Sequence, residues 1–115
     1  MLYVKKEDRY KGAFTRTNFN KGQILLDLSM CLLIRDPSRT SIQVHDGFHV
    51  EHEVGACINH ACDPSCKIEG LSVVALRDLK EDEEVTFNYN ENEDVLANPF
   101  ECKCCGKMIL GRKHE

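Results

Sequence analysis

No apolar run in this chain approaches the roughly 20 residues that a membrane-spanning helix requires. The opening residues, Met1-Leu2-Tyr3-Val4-Lys5-Lys6, lack an apolar region of secretory length and lack a small-residue cleavage pattern behind it. The expectation is a soluble chain, with no membrane partner and no export by the general secretory route. At 115 residues the chain also lacks room for a second core of ordinary size. There is no internal repeat, no low-complexity segment and no convincing stretch of helical period. Basic charge is not in excess: 15 Lys and Arg stand against 19 Asp and Glu, a net charge of -4. Direct nucleic-acid binding by phosphate neutralisation is therefore disfavoured, and a basic peptide is the more natural guest. Cysteine is abundant but odd in number, at seven, and no pair of Cys-x-x-Cys knuckles is present. Those features weigh against a disulfide scaffold, a zinc ribbon or a redox module, and favour reduced thiols with some of them on a metal.

What the sequence does contain is a series of short β-type runs separated by turn signals. Residues 2–5 and 12–16 are expected strands, followed by a turn at Asn18-Phe19-Asn20-Lys21-Gly22. Residues 23–34 form the longest apolar run and predict one bent strand or two buried ones, closed by the loop Asp36-Pro37-Ser38-Arg39. Residues 41–44 and 48–51 flank Asp46-Gly47, a strong hairpin signal. A single helical turn fits residues 53–58, although Gly55 weakens it. Residues 71–79 and 85–89 complete the strands around the acidic turn Glu81-Asp82-Glu83-Glu84. The fold class is mainly β with short connections.

Three blocks then carry more than secondary structure. Lys11-Gly12-Ala13-Phe14, with Asn20-Lys21-Gly22-Gln23, precedes Ile58-Asn59-His60-Ala61-Cys62-Asp63-Pro64. Last comes Glu84-Val85-Thr86-Phe87-Asn88-Tyr89, followed by Phe100-Glu101-Cys102-Lys103-Cys104. In this order they resemble the signature blocks of SET-domain protein-lysine methyltransferases, of the small stand-alone bacterial or viral type with a partial post-SET segment. The resemblance implies a β-clip fold of several small sheets with a C-terminal pseudoknot and few short helices, divided into a SET domain over 1–90 and a cysteine-bearing tail over 91–115.

The same resemblance implies an enzyme that methylates a lysine of a protein substrate with S-adenosylmethionine. Tyr89 is then the catalytic tyrosine, and Gly12, Ala13, Phe14, Asn59, His60 and Phe100 bind the cofactor. Asn59 offers donors and an acceptor to a zwitterionic ligand. A neutral lysine amine would attack the sulfonium methyl in line with the departing sulfur, so alignment is the main demand on the protein. Substrates would be histone-like or other basic proteins, and the acidic residues Glu91, Glu93 and Asp94 could attract them, although a solvated loop is the preferred explanation of those residues. A short insert over 36–54 implies a shallow groove or help from a second subunit in a homodimer. Phe48, Phe87 and Phe100 are candidate channel-wall residues, with Phe48 favoured as core. The family type places the protein in the cytoplasm of a bacterium, or otherwise in a nucleus or directed to a host.

For the metal, the resemblance implies zinc held by Cys62, Cys102 and Cys104, with Cys105 standing in for a fourth position that falls on Ile109. Adjacent cysteines point apart in an extended chain, so using both Cys104 and Cys105 requires a sharp turn, which Gly106 would permit. His114 is a remote alternative ligand, and a metal-free tail is the alternative to a site. Cys31 and Cys57 read as buried small hydrophobes and Cys66 as structural. Tyr10 replaces the first glycine of the opening block, Ala61 the usual serine and Asn88 the usual aspartate. Those departures leave open a catalytically degenerate domain that binds a peptide or partner protein.

Overall fold

The backbone of the computed structural model, described for residues 1–8, 10–103 and 105–112, reverses where glycine permits it. Gly47 has φ of +75° and closes the hairpin of β5 (Ile42–His45) and β6 (Phe48–Val50). Gly70, at +59°, closes a second hairpin of β8 (Cys66–Glu69) and β9 (Ser72–Ala75). Both positive angles lie where residues with a Cβ are strained.

The first sheet has the order β1-β2-β10-β7. Its strands are β1 (Leu2–Glu7), β2 (Tyr10–Thr15), β10 (Glu84–Phe87) and β7 (Asn59–His60). β10 runs antiparallel to β2, with Val85 opposite Ala13, and parallel to β7, with Thr86 opposite Asn59 and Phe87 opposite His60. β10 is thus inserted between two segments that precede it in sequence. Two further sheets flank it, β3-β9-β8 with β3 at Ile24–Asp27, and β4-β6-β5 with β4 at Leu33–Ile34. A final pair joins β11 (Phe100–Glu101) to β12 (Met108–Ile109). The mainly β class with several small sheets is the observed one.

Alternation along β10 buries Val85 and Phe87 while Glu84 and Thr86 face the other side. Val85 joins Ala13, Leu28, Ile58, Val73 and Leu79 in a common core. Burial of these side chains at roughly 25 cal/mol per Å² of apolar surface supplies the main driving force.

Several expectations need correction. The run 23–34 does give two strands, but they are not uniformly buried: Ile24 and Leu33 within them are 57% and 54% exposed, and Met30 and Leu32 between them are 94% and 86% exposed. The break has a local cause, because the Asp27 carboxylate accepts the Ser29 N–H at 2.8 Å and turns the chain. The strand expected over 71–79 ends at Ala75, and β8 was hidden because Lys67 and Glu69 alternate with Cys66 and Ile68. The helical turn near 53–58 is a 3-10 turn over Gly55–Cys57. The strand expected through 89 stops at Phe87, and Tyr89 begins α1 (Tyr89–Asn92) instead. Asn88 is the reason: its side chain caps the turn by accepting the Asn90 N–H at 2.9 Å.

The described tail residues are tied down by backbone pairing. Leu96 N–H donates to Leu110 O and Arg112 N–H to Glu93 O. Gly111, at φ +104°, leaves no room for a Cβ, which would sit 2.6 Å from Asp94 O. Gly111→Ala is therefore expected to destabilise the protein by about 3 kcal/mol, since backbone strain and a backbone clash add. A thermal melt reads this as a fall on the order of 10 °C. An unchanged melt would mean that the tail is not part of the cooperative unit.

Candidate active site

The parallel pairing of β7 with β10 brings the second and third sequence blocks side by side, and both open onto one cleft of about 760 Å³. Ser65 clamps the turn behind β7. Its hydroxyl donates to Glu84 O at 3.0 Å and accepts the Thr86 N–H at 3.0 Å, while Ser65 N–H donates to Thr86 Oγ1 at 3.0 Å. The loop carrying Asn59 and the strand leading to Tyr89 are held as one unit.

Tyr89 lines the cleft with its hydroxyl donating to Ile58 O at 2.5 Å, and its backbone N–H donates to His60 Nδ1 at 3.0 Å. The ring packs against Phe87 at 4.8 Å, His60 at 5.3 Å and Phe100 at 5.9 Å between centroids. Burial, reinforced by the negative charges of Glu93 and Glu84, pushes the phenol pKa far up. The shift favours the neutral phenol of Tyr89 over the phenolate.

Asn59 uses its amide hydrogens within the protein, donating to Lys11 O at 2.7 Å and to Glu84 Oε2 at 2.9 Å. Glu84, which the sequence did not single out, is therefore central to the site. Its position explains Gly12, where a Cβ would lie 2.8 Å from Glu84 Oε2. The first block meets the cleft differently from expectation. Tyr10 and Lys11 line it, whereas Gly12, Ala13 and Phe14 do not. Ala13 is fully buried in the core, and Phe14 stacks on Tyr3 at 5.9 Å. Tyr10 lines the cleft where the resemblance expects a glycine, and burial together with Glu84 pushes its phenol up to about 12.

Of the candidate wall residues, Phe87 and Phe100 line the cleft and Phe48 does not. Phe48 instead lies under Arg35, at 4.9 Å. The acidic run next to Tyr89 is not a solvated loop throughout. Glu93 is 3% exposed, accepts the Gln43 N–H at 2.8 Å and lies 4.0 Å from His49 Nδ1. Asp94 pairs with Arg112 at 2.5 Å, and of the three only Glu91 is exposed.

Burial raises the Glu93 pKa above its ordinary 4.5, so the folded protein holds that proton more tightly than the unfolded chain. The associated stability is present at low pH and is lost as pH rises through the raised value. His49 runs the other way: burial lowers its pKa from 6.5, and stability is lost as pH falls below 6.5. Glu93→Gln removes the first dependence alone. Its stability relative to the native protein should climb as melts are taken from about pH 5 to about pH 8. A difference that stays flat across that range would count against the buried charge.

The cysteines converge beneath His60. Cys62 Sγ lies 3.5 Å from Cys102 Sγ, 3.3 Å from Cys105 Sγ and 3.5 Å from His60 Nε2. Ligand sulfurs on tetrahedral zinc, with bonds near 2.3 Å, stand about 3.8 Å apart, so Cys62 lies close to that spacing from both Cys102 and Cys105, and the ligand atoms of His60, Cys62 and Cys102 all lie within 4.8 Å of one another. The turn that achieves this is closed by Gly106 N–H donating to Cys102 O and Cys102 N–H donating to Lys107 O, each at 2.8 Å, with Gly106 at φ +74°. Cys104 and His114 lie outside the described residues. Ile109 is buried, 1% exposed, at the position where the resemblance expects a ligand. Cys57 and Cys66 are buried in the core, and Cys31, expected to be buried, is only half-buried against it.

A family model described as SET domain matches residues 10–90. The chain belongs to the SET-domain family. Among curated relatives, the SET domain is 41% identical over 56 residues to a histone-lysine N-methyltransferase, H3 lysine-4 specific, of Debaryomyces hansenii. It is 30% identical over 66 residues to the histone-lysine N-methyltransferase ASHH2 of Arabidopsis thaliana. A third relative is the variant-silencing SET domain-containing protein of Plasmodium falciparum, 32% identical over 75 residues. These alignments take in 41%, 50% and 55% of this chain but only 5%, 4% and 3% of the relatives' lengths. A solved structure of a candidate histone methyltransferase of Plasmodium falciparum has the same fold, with a TM-score of 0.60 at 16% identity, covering 77% of this chain and 96% of that one.

Proposed function

We propose that this SET domain transfers a methyl group from S-adenosylmethionine to a lysine side chain of a basic protein. The observation that carries the reading is the convergence of Asn59 and Tyr89 on one cleft, with the Tyr89 hydroxyl tied to Ile58 O beside Asn59. The cleft volume falls within the roughly 300–1,000 Å³ of small-molecule sites. When bound there, S-adenosylmethionine would supply an electrophilic methyl on a sulfonium.

The chain's own residues account for the rest. Asn59 has committed its N–H groups to Lys11 and Glu84, so its carbonyl oxygen is left to accept from the ammonium of a zwitterionic ligand. Tyr89 cannot act as a base, because its proton is held by burial and donated to Ile58 O. Its oxygen lone pairs can still accept from a lysine amine and orient it. Ile58, Phe87 and Phe100 make the wall apolar, and desolvation there disfavours the ammonium form of an entering lysine. Zinc, held by Cys62, Cys102 and Cys105 among the described residues, would be structural and would fix the tail over the cleft.

The test is incubation with labelled methyl donor and a mixture of histones and other basic proteins, comparing native protein with Tyr89→Phe and Asn59→Ala. The native protein should label lysine and both variants should fall well below it. Equal transfer by all three would overturn these roles. Tyr10 favours a second reading, a catalytically degenerate domain that binds peptide, because its phenol occupies the cleft beside Glu84. Calorimetry separates the two: folded protein giving no heat with S-adenosylmethionine would support the binding module.

A further inference from the structure

His60 sits between the thiol cluster and the catalytic strand end, and its two ring nitrogens face different partners. Nδ1 lies 3.0 Å from the backbone nitrogen of Tyr89, and Nε2 lies 3.5 Å from Cys62 Sγ. His60 Nε2 also forms, with Cys62 and Cys102, a group whose ligand atoms all lie within 4.8 Å of one another. Proximity alone would make His60 a candidate fourth ligand, the more so because Ile109 cannot serve.

The hydrogen bond to Tyr89 excludes that role. A backbone N–H can only donate, so Nδ1 must present its lone pair, and a neutral imidazole then carries its hydrogen on Nε2. A metal bond through Nε2 would leave the ring with no proton on either nitrogen, or would break the bond to Tyr89. We infer that His60 is a positioning residue: Nε2–H donates to the Cys62 thiolate while Nδ1 accepts the Tyr89 N–H, so one ring couples the metal cluster to the catalytic tyrosine without ligating the metal. The ring is packed on both sides of that link, against Tyr89 at 5.3 Å and against Phe100 at 5.9 Å. Partners outside the ligand shell of this kind orient ligands and tune the charge on them. The inference rests on the proposal of a metal at the thiol cluster.

Cobalt(II) substitution of the full chain tests it, because cobalt d–d absorption reports ligand type whether or not methyl transfer occurs. His60→Asn retains an acceptor near Nδ1 and loses the donor toward Cys62. His60→Gln places an amide N–H near Nε2 and loses the Nδ1 acceptor. The expected result is d–d bands of the same position and intensity in all three proteins. Cobalt affinity by chelator competition should fall roughly 10- to 100-fold in His60→Asn and recover in large part in His60→Gln. Bands that shift in the variants would make His60 a ligand and overturn the inference while leaving the metal proposal standing. Unchanged bands with equal affinity in all three would also overturn it. Absence of cobalt uptake by the native protein would sink the metal proposal itself, and this inference with it. Should His60→Asn fail to fold by circular dichroism, the bands of His60→Gln still decide between ligand and donor.

Discussion

Tyr89→Phe is expected to lower methyl transfer on the order of 100-fold or more while leaving the affinity for S-adenosylmethionine close to native. The hydroxyl donates to Ile58 O from the start of α1, and removing it takes that donor from the carbonyl inside the cleft. The ring itself keeps its contacts with Phe87, His60 and Phe100, so the variant should fold. Paired initial-rate and calorimetric measurements give the split between catalysis and binding. The pH dependence adds a sharper criterion. Because burial holds the Tyr89 phenol protonated, the rise of rate with pH should reflect the lysine amine losing its proton, and native protein and variant should share one profile. A titration step present only in the native protein would assign Tyr89 a proton-transfer role that this geometry denies it.

Much of this site was legible in the residues, for reasons that can be named. Asn59-His60 and Glu84 to Tyr89 are contiguous blocks whose side-chain types admit few uses together, and their adjacency in space follows from one parallel strand pairing. The hairpin at Asp46-Gly47 declares itself through its Asp-Gly pair, whereas the hairpin at Gly70 does not, because the alternating charges of β8 obscure its first strand. Other features depended on long-range partners that no local window contains. Glu84 reads as part of an acidic turn until Asn59 is found donating to it from 25 positions away. Glu93 reads as a solvated acid until Gln43, 50 positions away, supplies the N–H that lets its carboxylate be buried. Tyr89 reads as the end of a strand because Asn88 is as compatible with a strand as with a cap, and only the cap's hydrogen bond to Asn90 decides. The first block misled in detail for a related reason. Gly12 matters because Glu84 crosses over it, rather than because it faces the cleft.

Cys62→Ser, or exhaustive chelation of zinc, is expected to lower the melting temperature on the order of 10 °C and to reduce methyl transfer in parallel. The tail has little else to hold its tip. β11 and β12 contribute two residues each, a pairing too short to persist alone, and the turn between them is closed by two backbone bonds at Cys102. Yet this tip delivers Phe100 to the rings of Tyr89 and His60 and lines one side of the cleft. A metal bridging Cys62 to Cys102 and Cys105 would convert that marginal hairpin into a wall, cross-linking positions 40 and 43 residues apart in sequence. Serine at position 62 keeps the size of the side chain but gives up the thiolate. Cys31→Ser is the control, since Cys31 is half-buried against the hydrophobic core. Metal content by mass spectrometry, melting and transfer rate should fall together in Cys62→Ser and remain native in Cys31→Ser. Protein purified without zinc that melts identically with Cys62 or serine would show that backbone pairing and the packing of Ile109 retain the tail without metal.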